Sequence, residues 1–134
     1  MLKRLFLIAA LTFSMAAQAR HGATTLLDPP PLSIPTGATA ADVEKAIVSS
    51  GVQRHWHVLD KNPGSILLEY APREFSVKVK VTYDTKVVNI AYADSSNMEY
   101  SQENGVPVIH PNYNRWVNNL AHDIEEQMTL ASAK

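Results

Sequence analysis

Three features of the sequence predict an α+β domain. Residues 75–83 alternate strictly, Phe75, Val77, Val79, Val81 and Tyr83 apolar against Ser76, Lys78, Lys80 and Thr82 polar, which is the period of an antiparallel strand with one buried and one wet face. Tyr113, Trp116, Val117, Leu120, Ile124 and Met128 recur at spacings of three and four opposite Asn114, Asn118, His122, Glu125 and Glu126, the stripe of an amphipathic helix. A shorter stripe of the same kind, Ala40, Val43, Ala46, Ile47 and Ser50, precedes the strands.

Taken in chain order, the first element is an export signal. Lys3 and Arg4 form a basic start, residues 5–17 an apolar run broken only by Thr12 and Ser14, and Ala17-Gln18-Ala19 a small-x-small cleavage site. That run is shorter than the roughly twenty residues a helix needs to cross a bilayer, and no second one follows, so a periplasmic, non-spanning product cleaved after Ala19 is expected. Asp28-Pro29-Pro30-Pro31 and Pro35 then impose an extended path on residues 20–37, a Pro-rich tether or an arm laid along an edge, on which Leu26, Leu27, Leu32 and Ile34 offer apolar contacts. The domain proper is assigned to residues 38–134.

Thr39 is placed to cap the first helix, with Asp42 three residues on, and Gly51 is its expected left-handed stop. From Val52 the period changes to two, putting Arg54, Trp56 and Val58 on one strand face and His55, His57 and Leu59 on the other. Asn62-Pro63-Gly64 is a turn, which makes 65–70 the return strand of a hairpin ended by Pro72. Residues 75–83 and 86–94 complete a four-stranded antiparallel meander, and Ser95 to Val108 read as a long loop. Asn112 is the expected N-cap of an eighteen-residue last helix, entered through Pro111. The predicted architecture is thus α-β-β-β-β-α, a two-layer sandwich with both helices on one sheet face and the other face exposed.

Composition narrows the function. Without residues 1–19 the 134-residue chain retains 115 residues, one domain's worth, with ten basic against thirteen acidic side chains, a formal −3. Nucleic acid, which selects for a basic face, is excluded as a partner on that balance. The chain has no cysteine, hence no disulfide, no thiolate and no N-terminal cysteine to acylate.

Trp56, Pro63-Gly64, the run Val77-Lys78-Val79-Lys80-Val81-Thr82-Tyr83, the segment Ile90-Ala91-Tyr92-Ala93-Asp94-Ser95 and above all Ile109-His110-Pro111-Asn112-Tyr113-Asn114-Arg115-Trp116-Val117 carry a resemblance. Over nearly the whole predicted mature chain it resembles a family of small uncharacterised exported bacterial proteins and lipoproteins marked by an Ile-His-x-Asn-Tyr-Asn-Arg-Trp string. The resemblance implies export and brings no activity, cofactor or catalytic residue with it.

Weighed as chemistry, His55 and His57, two apart on a strand, would present two imidazoles to one metal ion, with a third ligand needed from His110, His122 or a carboxylate. His21 beside a free amine is a weaker copper ligand. Ser95 or Ser96 with His110 and Asp94 lacks the strand-turn-helix elbow of a hydrolase, and Asp123, Glu125 and Glu126 read as a solvated helix face rather than a glycosidase pair. Phosphate loops, dinucleotide fingerprints and His-Glu-x-x-His are absent, so no cofactor is expected. At the start of the last helix, His110, Asn112, Asn114 and Arg115, bordered by Asp94 and Tyr100, form the expected polar recognition patch, while Tyr113, Trp116 and Trp56 are expected core residues. The function expected is a non-enzymatic periplasmic binding module for an envelope protein or an anionic or glycan-like ligand. It would use that patch or the exposed sheet face bearing Lys78 and Lys80. The alternative is a metal-binding envelope protein built on His55 and His57.

Overall fold

Thr39 does cap the first helix. In the computed structural model, which describes residues 22–133, α1 (Ala40–Gln53) opens on a complete capping box: the Asp42 amide donates to Thr39 Oγ1 at 3.1 Å and the Thr39 amide to the Asp42 carboxylate at 2.9 Å. The predicted signal peptide, its cleavage site and His21 lie outside the described residues. Among the described residues, no helix is long and apolar enough to cross a membrane.

Gly51 is not the stop. It lies inside α1, buried, where a Cβ would stand tightly, at 3.3 Å, against Leu68 and in ordinary contact, at 3.5 Å, with Trp56, so the missing side chain serves close packing. The helix ends instead at His55, whose φ of +67° is left-handed, with the His55 amide donating to Val52 O at 3.0 Å and the Trp56 amide to Gly51 O at 2.9 Å. That pair of bonds is a Schellman closure with histidine where glycine is usual. Strand β3 (His57–Asn62) therefore starts five residues later than the period predicts, and His55 is not on it.

The chain is α+β, as expected, but its described residues carry two antiparallel sheets of five and three strands in place of a four-stranded meander. β3, β4 (Ser65–Tyr70), β5 (Ser76–Tyr83) and β6 (Val87–Ser96) do form the predicted run of hairpins. The fifth strand is β2 (Leu32–Ser33), from the Pro-rich segment, paired with β6 through Leu32–Val88 and Ser33–Val87. The second sheet lies in the stretch expected to be loop, with β7 (Ser101–Glu103) returning as β8 (Val106–Ile109) through Asn104-Gly105. Both turn residues have positive φ, +52° and +78°, as the tight turn matching strand twist requires. β1 (Thr24–Thr25) pairs with β8 and completes that sheet.

Residues 24–34 are thereby stitched to both sheets. The Leu26 amide donates to Pro107 O at 2.9 Å and the Ile34 amide to Lys86 O at 2.8 Å, while Leu26, Leu32 and Ile34 pack on the core and Leu27 stays exposed. Three consecutive prolines suit the crossing between the sheets, since they have no amide hydrogen to leave unpaired there.

One core results. Val43, Ala46 and Ile47 of α1 meet Val117, Leu120, Ile124 and Met128 of α2 (Asn112–Ser132) and one face of the five-stranded sheet, where Ile66, Leu68, Val77, Val79, Val81, Val88 and Ile90 are buried. The opposite sheet face is open: Lys80, Asn89, Ala91 and Asp94 are exposed. An extra residue in β6, Ala93, shifts the register between Val79–Tyr92 and Lys78–Asp94, which keeps Tyr92 on the core face and sends Asp94 to the open one.

Candidate functional site

The polar string at the start of α2 comes together as a junction. Asn112 is not the cap; Pro111 has helical angles (φ −60°, ψ −21°) and sits at the first-turn position proline favours. Capping falls to His110, whose Nδ1 accepts the Asn112 amide at 3.1 Å and whose carbonyl accepts the Tyr113 amide at 3.0 Å. The imidazole also lies against Phe75, ring centroids 5.8 Å apart. Asn112 uses its side-chain oxygen to accept from Arg115 at 2.9 Å.

Asn114 grips the arm: its Oδ1 accepts the Leu27 amide and its Nδ2 donates to Thr25 O, both at 2.9 Å. The buried Tyr113 hydroxyl donates to Asp28 at 2.7 Å, and burial together with that carboxylate pushes its pKa far above the ordinary phenol value. Tyr100 stacks on Tyr92, centroids 4.5 Å apart, beside this junction. Asp94 does not join the string, because it stands opposite Lys78 on the open face, away from the helices. These roles separate neighbours that the sequence treats alike. Asn114→Ala should lower stability by about 1–2 kcal/mol through two lost arm bonds, and Arg115→Ala, exposed and, among the described residues, bonded within its own turn, by less than about 0.5 kcal/mol. Urea midpoints of the two variants measure this, and equal losses would contradict it.

His55 and His57 are separated by the helix closure, so two imidazoles projecting from one strand face is not the arrangement found. The potential metal ligands that do converge among the described residues are His122, Asp123 and Glu126, whose donor atoms lie within 4.8 Å of one another. Asp123 is already committed to Arg54, accepting from both Nε and, at 3.3 Å, a terminal nitrogen; that pairing holds its carboxyl below the usual range.

The same Arg54 borders a cleft of about 220 Å³ lined by Arg54, His55, Trp56, Tyr70, Trp116 and Asn119. Its wall is aromatic: Trp56 and Tyr70 lie with centroids 5.4 Å apart, and Tyr70 meets Trp116 edge-on at 4.9 Å. Trp56 is core as predicted, only 2% exposed, whereas Trp116 is half-buried and packs against the core from this side. Sequence periodicity places the two tryptophans on separate elements. Their meeting across Tyr70 depends on α1 closing at His55, which no periodicity reports. Comparisons with protein-family models, curated proteins and solved structures find none that matches the chain.

Proposed function

We propose that the protein is an exported, non-catalytic binding module of the bacterial envelope that takes an uncharged sugar ring in the Trp56–Tyr70–Trp116 cleft. The carrying observation is the cleft itself: an apolar aromatic wall with a few converging polar groups is the common form of a small-molecule site. Asn119 offers an amide and Arg54 unspent N–H donors for hydroxyl groups, while the partly exposed rings of Tyr70 and Trp116, backed by buried Trp56, offer apolar surface to C–H groups. Asp123 offsets the charge on Arg54, which favours a neutral ligand over an anion. The lining contains no carboxylate and no aliphatic hydroxyl, which favours binding over hydrolysis. The sequence resemblance and the predicted signal support the compartment.

His55 adds a cost consistent with a site. A non-glycine residue in left-handed geometry is disfavoured, and here it faces the cleft rim. His55→Gly should stabilise the fold by about 0.5–1 kcal/mol while weakening binding. Because half-buried Trp116 borders the cleft and the chain's other tryptophan, Trp56, lies buried behind it, intrinsic fluorescence reads occupancy through Trp116. Titration with oligomers of N-acetylglucosamine should give a saturable emission shift that Trp116→Ala and His55→Gly reduce. Emission that ignores neutral saccharides, while still quenched by acrylamide, would overturn the proposal.

A further inference from the structure

The open face of the five-stranded sheet carries a row of four side chains whose order is set by register. His57 pairs with Glu69, Glu69 with Lys78, and Lys78 with Asp94, so the row runs across β3, β4, β5 and β6 as imidazole, carboxylate, ammonium, carboxylate. Within one chain the middle pair is loose, Lys78 Nζ lying 3.9 Å from Glu69 Oε2, with side chains 34% and 25% exposed.

The row is self-complementary. Rotation by 180° about an axis along the strands, lying in the plane of contact, reverses the strand order of a facing copy and preserves position along each strand. Lys78 then stands over the second copy's Glu69, and His57 over its Asp94, each with the reciprocal contact. A two-fold interface requires this reciprocity of its surface. In the next exposed row Lys80 falls over Leu67 and beside Asp60, and the row beyond it, Asn62, Ser65, Thr82 and Asn89, carries no charge to oppose the approach. Aligned sheets pack about 10 Å apart with strands within about 30°, a gap that glutamate and lysine side chains bridge from opposite sides.

We infer that this face docks a second copy of the chain, open face to open face, through reciprocal Lys78–Glu69 and His57–Asp94 contacts. Four strands about 4.8 Å apart and about six residues long present roughly 400 Å² per copy, half of the roughly 800 Å² of a standard interface. The dimer is therefore weak, and its polar contacts make it sensitive to salt. The surface lies on the far side of the sheet from the helices, so the inference is independent of the aromatic cleft.

Charge reversal gives a test that monomer stability cannot imitate. Lys78→Glu sets carboxylate over carboxylate in its own dimer, and Glu69→Lys sets ammonium over ammonium, so each alone should dissociate at least about tenfold more readily than the parent. An equimolar mixture restores both cross-copy pairs while leaving each chain's internal pair like-charged, and should recover a heterodimer. Sedimentation velocity at millimolar chain concentration and low ionic strength reads all three, with circular dichroism confirming the fold. For the unmodified chain, raising the salt should dissociate the dimer, which tests the same contact if a variant does not fold. A parent that stays monomeric, a dimer indifferent to salt or to both reversals, or folded variants whose mixture does not associate would each overturn the inference.

Discussion

Trp56→Ala should remove about 3–5 kcal/mol of folding stability. Trp56 is 2% exposed and sits one residue beyond the left-handed closure of α1, so its side chain ties the helix end to Tyr70 of β4, the ring that in turn meets Trp116 of α2. Its Cβ lies 3.5 Å from where a Gly51 side chain would begin, and its ring is tilted against Tyr70. Truncation leaves a void that this backbone does not fill by relaxing, because the Schellman bonds and the packing of Leu68 on Gly51 fix its walls. Trp116→Ala should cost visibly less, since half-buried Trp116 leaves a wall that water already reaches. Guanidinium denaturation of the two variants decides the order; a Trp56→Ala loss below about 1 kcal/mol, or one no larger than that at Trp116, would show that the cleft wall and not the core is what Trp56 builds.

The contrast between the two tryptophans shows how far periodicity reaches. Phe75 to Tyr83 and Val88 to Ile90 were legible because a sheet with one covered face prints its burial every second residue, and Val77, Val79, Val81, Val88 and Ile90 are indeed buried. Thr39 and Asp42 were legible because a capping box is local chemistry. Asn104-Gly105 carried an equally local hairpin signal, but the strands flanking it are three and four residues long and too short to show alternation. Gly51 misled because glycine has two uses at a helix end, and here close packing took it while His55 took the left-handed position. At the candidate sites, Asn114 and Asp28 are 86 positions apart in sequence and act on the same arm, and the row from His57 to Asp94 exists only once four strands are in register. Such juxtapositions are tertiary, and no window of the sequence contains them.

The arm offers the second large effect. Asp28 accepts the hydroxyl of Tyr113 at 2.7 Å and the amide of Tyr92 at 3.2 Å, joining the N-terminal segment to α2 and to β6 at once. Tyr113 is fully buried, so Asp28→Ala strands its hydroxyl without an acceptor and should cost about 2–3 kcal/mol, the penalty of losing a bond to a charged group with the donor left inside. Tyr113→Phe removes the donor instead. Asp28 is exposed and regains water, so that variant should lose only about 1 kcal/mol. The double variant should then lose more than Tyr113→Phe, because the Tyr92 amide has also lost its acceptor, but less than the sum of the two, since the stranded hydroxyl is gone, and that non-additivity is the mark of a direct pair. Urea denaturation supplies the three energies, and amide exchange along residues 24–34 shows whether the arm opens with them. If Asp28→Ala loses less than about 0.5 kcal/mol, or if the two single losses simply add, the arm is held by its strand pairing alone and Asp28 is not its anchor.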